Sequence, residues 1–218
     1  MLYENLKKDP EILAYYKKGN DILGILGYTD HSIAHGLIVA RKAASILHWF
    51  HADEQTIDLA KTAGLLHDIG NAINREHHAE YGALLANDIL RNREISLEDR
   101  VTVVSAVANH DESTGAAEDF VSAALIIADK TDVRRDRVRE KDSAKFDIHD
   151  RVNYAVTGST LCYDGEKNRI KLNLQIDENI CSMYEYFEIF LGRMVMCRRA
   201  AEILGSQFRL TVNGNKVL

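Results

Sequence analysis

Residues 54–70 read EQTIDLAKTAGLLHDIG, and the fold turns on them. Ile57, Leu59, Ala60, Ala63 and Leu65 recur at the spacing of an amphipathic helix. That helix carries the adjacent pair His67-Asp68 to its end, where Gly70 is placed to close it in the left-handed C′ conformation. The same habit extends outward on both sides. Residues 31–50 put Ile33, Leu37, Ile38, Ala40, Ala44, Ile46 and Leu47 on one broad stripe, and further helices are predicted over 76–92, from Ser96, and from Glu118 to Asp132. Ser96 with Asp99 resembles a capping box in which Asp stands for the usual Glu. The expected fold is mainly α, a bundle of five or more helices.

Past residue 150 the apolar period changes from helical to two. Leu161 and Tyr163, a turn at Asp164-Gly165, and the alternation Ile170, Leu172, Leu174, Ile176 predict a hairpin with one buried face. Residues 180–204 return to helical spacing, and Phe208, Leu210 and Val212 alternate again, so the tail reads as a small α+β region of β-β-α-β order. The divisions expected are an N-terminal helical extension over 1–25, a core over 26–135, a charged connection over 136–150, and the C-terminal α+β region over 151–218.

Composition narrows the class. With 46% hydrophobic and 28% charged residues in 218, the chain matches a globular average and excludes disorder or a fibrous repeat. A net charge of −6 makes nucleic acid an unlikely main partner, although a local basic patch is allowed. No run of about 18 apolar residues suggests a membrane span, and no signal-peptide core follows the first charges, so a cytoplasmic location is expected. Cys162, Cys181 and Cys197 lack a CxxC pair and are expected to be reduced thiols. A single proline suits long helices, while nine histidines raise a question about metals.

Eight of those histidines lie between residues 31 and 110, mostly near predicted helix ends. His31 and His35 are one turn apart on one helix face. His67-Asp68 ends the next helix, His77-His78 opens the third, His110-Asp111 closes the fourth, and Asp129 lies late in the fifth. Helix ends of a bundle can converge on one pocket. Imidazole with carboxylate favours a transition metal over calcium or magnesium, and a metal-bound water can lose its proton near neutral pH and attack phosphorus. The HExxH pattern of zinc proteases is absent because Ser32 follows His31.

At these residues the chain resembles the HD superfamily of metal-dependent phosphohydrolases, whose signature runs H…HD…D on a five-helix core. His35-Gly-Leu-Ile-Val39-Ala40 is similar to its first-histidine helix, Leu65-Leu66-His67-Asp68-Ile69-Gly70 to its central motif, and Ile127-Ala128-Asp129-Lys130 to its last ligand. His78-Ala-Glu-Tyr-Gly82-Ala83 and Asn109-His110-Asp111-Glu112 are similar to two histidine phrases of the binuclear HD-GYP branch. Ala79 there replaces a proline, Asp111 replaces a histidine, and the Gly-Tyr-Pro that names the branch is missing after Gly115. The likeness covers roughly residues 28–135.

The resemblance implies His35, His67, Asp68, Asp129, His78 and His110 as ligands of one or two divalent ions, drawn from Mn, Fe, Co, Ni, Zn or Mg, with Asp68 able to bridge them and hold the nucleophile. Helical neighbours point about 100° apart, so only one of His77 and His78 should face the site, and the spacing of the resembled family selects His78. Lys130, Arg134 and Arg75 are candidates for balancing phosphate charge, Lys130 and Arg134 in a catalytic role, and His31 for orienting a ligand or contacting phosphate. Asp132 could pair with these cations, and Asp111 and Glu112 could support His110. His48, His51 and His149 read as ordinary surface or packing residues. The implied function is hydrolysis of a phosphomonoester or phosphodiester of a small molecule, foremost a nucleotide. Its rivals are a diiron oxygenase on the same core and a non-catalytic nucleotide or metal sensor. The C-terminal region is a candidate for signal transmission or homo-oligomer contacts.

Overall fold

A computed structural model describes residues 1–139 and 147–217 of the chain. Two N-terminal helices, α1 (Leu2–Leu6) and α2 (Pro10–Ile25), precede the five that the sequence predicts: α3 (Ile33–Trp49), α4 (Glu54–Leu66), α5 (His78–Arg91), α6 (Leu97–Ala108) and α7 (Phe120–Lys130). Their starts are chemically marked. Asp53 caps α4 by accepting from the Thr56 amide, and Asp119 caps α7 in a reciprocal box with Ser122. Ser96 accepts from the Asp99 amide at 3.0 Å, but the Asp99 carboxylate takes a hydrogen bond from the Gln55 side chain instead of returning one to the cap.

α3, α4 and α7 pack on one another at the centre. Of the apolar stripes read from the sequence, Ala40, Ala44, Ile46, Leu47, Ile57, Leu59, Ala60, Ala63, Leu65 and all of Val121–Ala128 except Ser122 are buried there, joined by Val39, Ala43 and Leu66, while Ile33, Leu37 and Ile38 are only partly buried. The extension over 1–25 belongs to the same body, because the buried Tyr16 hydroxyl donates to the Leu65 carbonyl at 2.8 Å, one residue before α4 ends.

Gly70 differs from its expected role. It is not among the residues with positive φ, and α4 ends earlier, at Leu66, where the chain tightens into a 3-10 turn over Ile69–Ala72. The glycine is required by close approach: a Cβ there would collide with the His78 carbonyl oxygen and the Gly82 amide nitrogen of α5. α5 is thereby seated directly against the His67-Asp68 segment.

In the C-terminal region, α8 (Ile148–Ala155) leads into β1 (Val156–Asp164), β2 (Arg169–Ile176), α9 (Met183–Ile203), β3 (Gln207–Val212) and the two-residue β4 (Asn215–Lys216). α8, capped by Asp147, begins inside the stretch assigned to a charged connection and crosses residue 151; positions 140–146 of that connection lie outside the described residues. The sheet order is β1-β2-β3-β4, with β2 and β3 parallel and the other pairs antiparallel. A parallel pair needs a crossover, and α9 supplies it. β4 adds to the expected β-β-α-β order through Asn213-Gly214, both at positive φ, the residue pair that two-residue hairpin turns favour. α9 packs on β3 and also on α7, so the tail shares the bundle's core and brings new side chains to it. Among the described residues no helix is long and apolar enough to cross a membrane, and the three cysteines are free thiols.

Candidate metal centre

Six elements deliver the imidazoles and carboxylates to one place. His35 stands in the first turn of α3, His67 caps the end of α4, and Asp68 opens the 3-10 turn. His78 starts α5, His110 follows α6, and Asp129 lies in the last turn of α7. The break between α4 and the 3-10 turn lets sequence neighbours point together: His67 Nε2 and Asp68 Oδ2 are 3.3 Å apart. Around them, His35 Nε2 lies 3.2 Å from Asp129 Oδ1 and 3.6 Å from Asp68 Oδ2, and His67 Nε2 lies 3.6 Å from Asp129 Oδ1. On the other side of Asp68, Oδ1 is 3.9 Å from His78 Nε2, which faces His110 Nε2 at 3.2 Å. His77 caps α5 from outside, with its ring more than half exposed.

Hydrogen bonding fixes which nitrogen each ring presents. Nδ1 of His67, His78 and His110 contacts the carbonyls of Gly64, Arg75 and Val107 at 2.9, 3.0 and 2.7 Å. A carbonyl only accepts, so each Nδ1 donates and each Nε2 offers a lone pair inward when the ring is neutral. His35 does the same through a carboxylate, its Nδ1 lying 2.9 Å from Asp132 Oδ2. Ligating histidines are held in this way.

The residues fit a metal ion. His67 Nε2 and Asp68 Oδ2 are buried without a hydrogen-bond partner, and such orphans are costly unless something satisfies them. Two three-ligand groups have donor atoms within 4.8 Å of one another: His35, His67 and Asp129, and His67, Asp68 and His110. Asp68 lies between His35 and His67 on one side and His78 on the other, the position a bridging carboxylate needs. Burial keeps His78 and His110 from charging, with His67 and His78 adding to that effect at His110, whose pKa falls to about 3. Two neutral rings with lone pairs facing at 3.2 Å repel unless a cation sits with them.

Charge accounts for the rest. Burial opposes a charge on His67, but Asp68 and Asp129 outweigh it and raise the pKa to about 10. Burial opposes ionisation of Asp68 and Asp129 too, and the surrounding imidazoles, with Lys130 beside Asp129, hold both well below the usual carboxylate range. A proton on His67 therefore occupies the ligand position in the metal-free state, and a metal must displace it. The expected result is that metal binding releases about one proton from His67 near pH 8 and tightens as pH rises toward about 10. Isothermal titration calorimetry in two buffers of different ionisation enthalpy reads this; binding without proton uptake by the buffer would contradict it.

Asp132 is fully buried and accepts from His35 Nδ1, from Lys42 Nζ at 3.0 Å and from Arg134 Nε at 3.0 Å. Burial would raise its carboxyl, but the His35 hydrogen bond and the Lys42 charge hold it far below its ordinary range. It orients the His35 ring and also pairs with Arg134, one of the cations it was expected to meet. Asp132→Asn is expected to weaken metal binding about 10–100-fold with the fold retained. Competition against a chromophoric chelator measures this; an unchanged affinity would remove Asp132 from the site.

A cavity of about 360 Å³ opens onto the cluster. Its lining includes Asp68, His78, His110 and Asp129, together with His31, Arg75 and Lys130 from the expected set. Arg134 is not on it; that guanidinium is engaged by Asp132 and Asp136. Arg137, three residues on, lines the cavity instead, buried and donating to the Asp30 and Asp132 carbonyls. Arg193 and Phe190 of α9 and Asn153 of α8 also line it without being expected there, and so does His149, which the sequence places among ordinary surface or packing residues. Glu112 does not support His110. It joins Lys130 (2.7 Å) to Arg193 (3.0 Å), while Lys130 also contacts Asp129 Oδ2 at 2.8 Å, giving an alternating charge chain from the metal ligands to the C-terminal helix. Burial works against the Lys130 charge, and Asp129 and Glu112 more than restore it. His31, with Nδ1 on the Thr29 carbonyl at 2.7 Å, is kept neutral by burial and by Arg137.

The sequence matches the HD domain family over residues 28–151. It is similar to an uncharacterized protein of Methanocaldococcus jannaschii, 27% identical over 219 aligned positions that cover 89% of this chain and 83% of that one. It is also similar to Ribonuclease Y of Campylobacter concisus, 32% identical over 119 positions covering 55% of this chain and 21% of the other. For Ribonuclease Y of Enterococcus faecalis the figures are 31% over 136 positions, 58% and 24%. The match thus spans about a quarter or less of each ribonuclease. The ligand series from His35 to Asp129 falls wholly inside the matched span, and the chain belongs to the HD domain family, whose members are in general metal-dependent hydrolases.

Proposed function

We propose that the chain is a metal-dependent phosphohydrolase of a small phosphoester, with a nucleotide as substrate. One observation carries the reading: a single cavity is lined both by the imidazole and carboxylate cluster and by four cations, Arg75, Lys130, Arg137 and Arg193. A divalent ion held by His35, His67, Asp68 and Asp129, with His78 and His110 available to a second, supplies Lewis acidity and a water of lowered pKa. The chain's own groups do the rest. Lys130, fixed between Asp129 and Glu112, offers a positive charge that does not have to be reorganised as charge develops on the phosphoryl oxygens. Arg137 and Arg193 present guanidinium forks suited to bidentate contact with non-bridging oxygens.

An exposed aromatic at the cavity mouth supports a nucleotide. Tyr28 lines the cavity with its ring 43% exposed and 5.2 Å from the Arg75 guanidinium, whereas Phe190 is buried beneath Arg193. A ring such as Tyr28 can stack on a base. Relatives named as ribonucleases support a nucleotide-type phosphoester as well. The test is a phosphate-release screen of nucleotides, dinucleotides and sugar phosphates with the protein loaded in turn with Mn, Fe, Co, Ni, Zn and Mg. Metal-dependent release from nucleotides is expected. Oxygen consumption by the iron-loaded protein without phosphate release would replace the reading with an oxygenase, and tight nucleotide binding without turnover under every metal would replace it with a sensor.

A further inference from the structure

The C-terminal sheet has a second chemical face. Ile170, Leu172, Leu174, Phe208, Leu210 and Val212 are buried on the inside, so the alternate residues of β2 and β3 point outward. The register arranges these in rows: Arg169 between Asp164 and Gln207, Lys171 between Cys162 and Arg209, and Thr211 between Asn173 and Lys216. Lys167 stands in the turn before β2. Lys167, Arg169, Lys171, Arg209, Lys216 and Thr211 line a hollow of about 400 Å³, and none of them lines the metal cavity.

Five cations thus converge on one hollow in a chain of net charge −6. Like charges at directly opposed positions of paired strands repel and cost stability, and Lys171 beside Arg209 is such a pair. Among the described residues, Asp164 is the one carboxylate ion-paired with any of the five, through Lys171. Arg169 and Arg209 are instead held together by a neutral group, both donating to Gln207 Oε1, at 3.3 and 2.8 Å. That amide positions two guanidinium groups side by side without neutralising either, so their charge remains available to an anion.

The geometry points to a compact polyphosphate as the ligand: we propose that this hollow binds a run of phosphoryl groups, free or carried by a nucleoside triphosphate. Converging cations match an anion whose charges are concentrated in one place. A nucleic-acid strand spreads single charges along its length, and the strand-binding faces that grip it add aromatic platforms for the bases. The outward rows here offer Cys162, Asn173, Gln207 and Thr211 in place of aromatics. Thr211 adds a hydroxyl to the charged donors. Val217 is the one apolar side chain on the lining, so the hollow recognises the phosphates rather than a base.

The test is calorimetric titration of the metal-free full chain with inorganic tripolyphosphate, orthophosphate, ATP and a short mixed-sequence RNA. One tripolyphosphate per chain is expected, bound more tightly than orthophosphate and weakening with salt. Loss of one charged donor in Arg209→Ala or Arg169→Ala should lower affinity about tenfold or more, while Arg193→Ala, in the metal cavity, should leave it unchanged. Equal affinity for ATP assigns recognition to the phosphates alone, and tighter ATP binding assigns a contribution to the nucleoside. Relief of like-charge repulsion predicts that Arg209→Ala does not lower the melting temperature; if it does, the exposed Lys216→Ala replaces it as the binding test. Affinity insensitive to all the sheet variants, orthophosphate binding as tightly as tripolyphosphate, or RNA binding more tightly and lost in the same variants would each overturn the proposal.

Discussion

Asp68→Asn is expected to cut metal-dependent phosphate release by at least about 10³-fold while leaving the protein folded, because an interaction worth several kcal/mol in the transition state is lost at about 1.4 kcal/mol per factor of ten. The substitution keeps shape and removes charge. Asp68 Oδ1 accepts from the Asn71 side chain at 2.9 Å, and an asparagine oxygen can keep that bond. Its amide would then stand where Oδ2 now faces His67 Nε2, presenting a donor to the inward lone pair where the metal needs an acceptor.

The same change reports on protons. His67 owes its raised pKa to Asp68 and Asp129 against burial. In the metal-free protein a raised imidazole pKa stabilises the fold fully below about 6.5, and this contribution is lost as pH rises through about 10. Asp68→Asn should therefore reduce the stability difference between pH 7 and pH 10 in thermal melts without metal. Turnover at the parental rate with any of the metals would sink the assignment of Asp68, whatever the melts show.

Why the ligands were legible and the cavity wall was not follows from what each has to do. A metal needs particular atoms, and few residue types carry them. His67-Asp68 at a helix end, with His35 and Asp129 in order on flanking helices, can be read because helical periodicity and donor chemistry are both local. The angle between helical neighbours allows only one of His77 and His78 to face the site, and the family spacing picks His78. The cations obey no such rule. Arg134 and Arg137 sit three residues apart in a segment dense with charge, and only the Asp132 and Asp136 carboxylates separate them, holding the first outside the cavity and leaving the second on its wall. Arg193, Phe190 and His149 reach the cavity because α8 and α9 dock on the bundle, a long-range packing that a period-two and period-3.6 reading of the tail cannot supply. The basic hollow has the same cause: Lys171 and Arg209 are 38 positions apart and become neighbours only through a parallel register.

Gly70 was visible as punctuation, and its physical reason makes the other large prediction. Gly70→Ala is expected to destabilise the protein by about 4 kcal/mol, at the upper end for overpacking and for single substitutions generally. Most added methyl groups meet side chains that can rotate away. This one meets backbone on both sides, the His78 carbonyl oxygen and the Gly82 amide nitrogen, in a helix pinned by its own hydrogen bonds. Gly82 is itself close, its own Cβ position lying 3.1 Å from the His67 carbonyl oxygen, so α5 has no free direction in which to yield. Relief must come from moving α5 away from the 3-10 turn, which also draws His78 from Asp68 and opens the pocket. Urea denaturation should record the stability loss, and the folded fraction should bind metal more weakly than the parent. Gly192→Ala is the matched control. Gly192 lies in α9, exposed, with nothing within 4 Å of the added carbon, so the same substitution there should stabilise by about 0.5–1 kcal/mol through helix propensity. Opposite signs from one chemical change separate close approach from conformational freedom as the reason for a glycine; a Gly70→Ala protein as stable as the parent would mean that α5 does not seat against the metal-ligand turn as described.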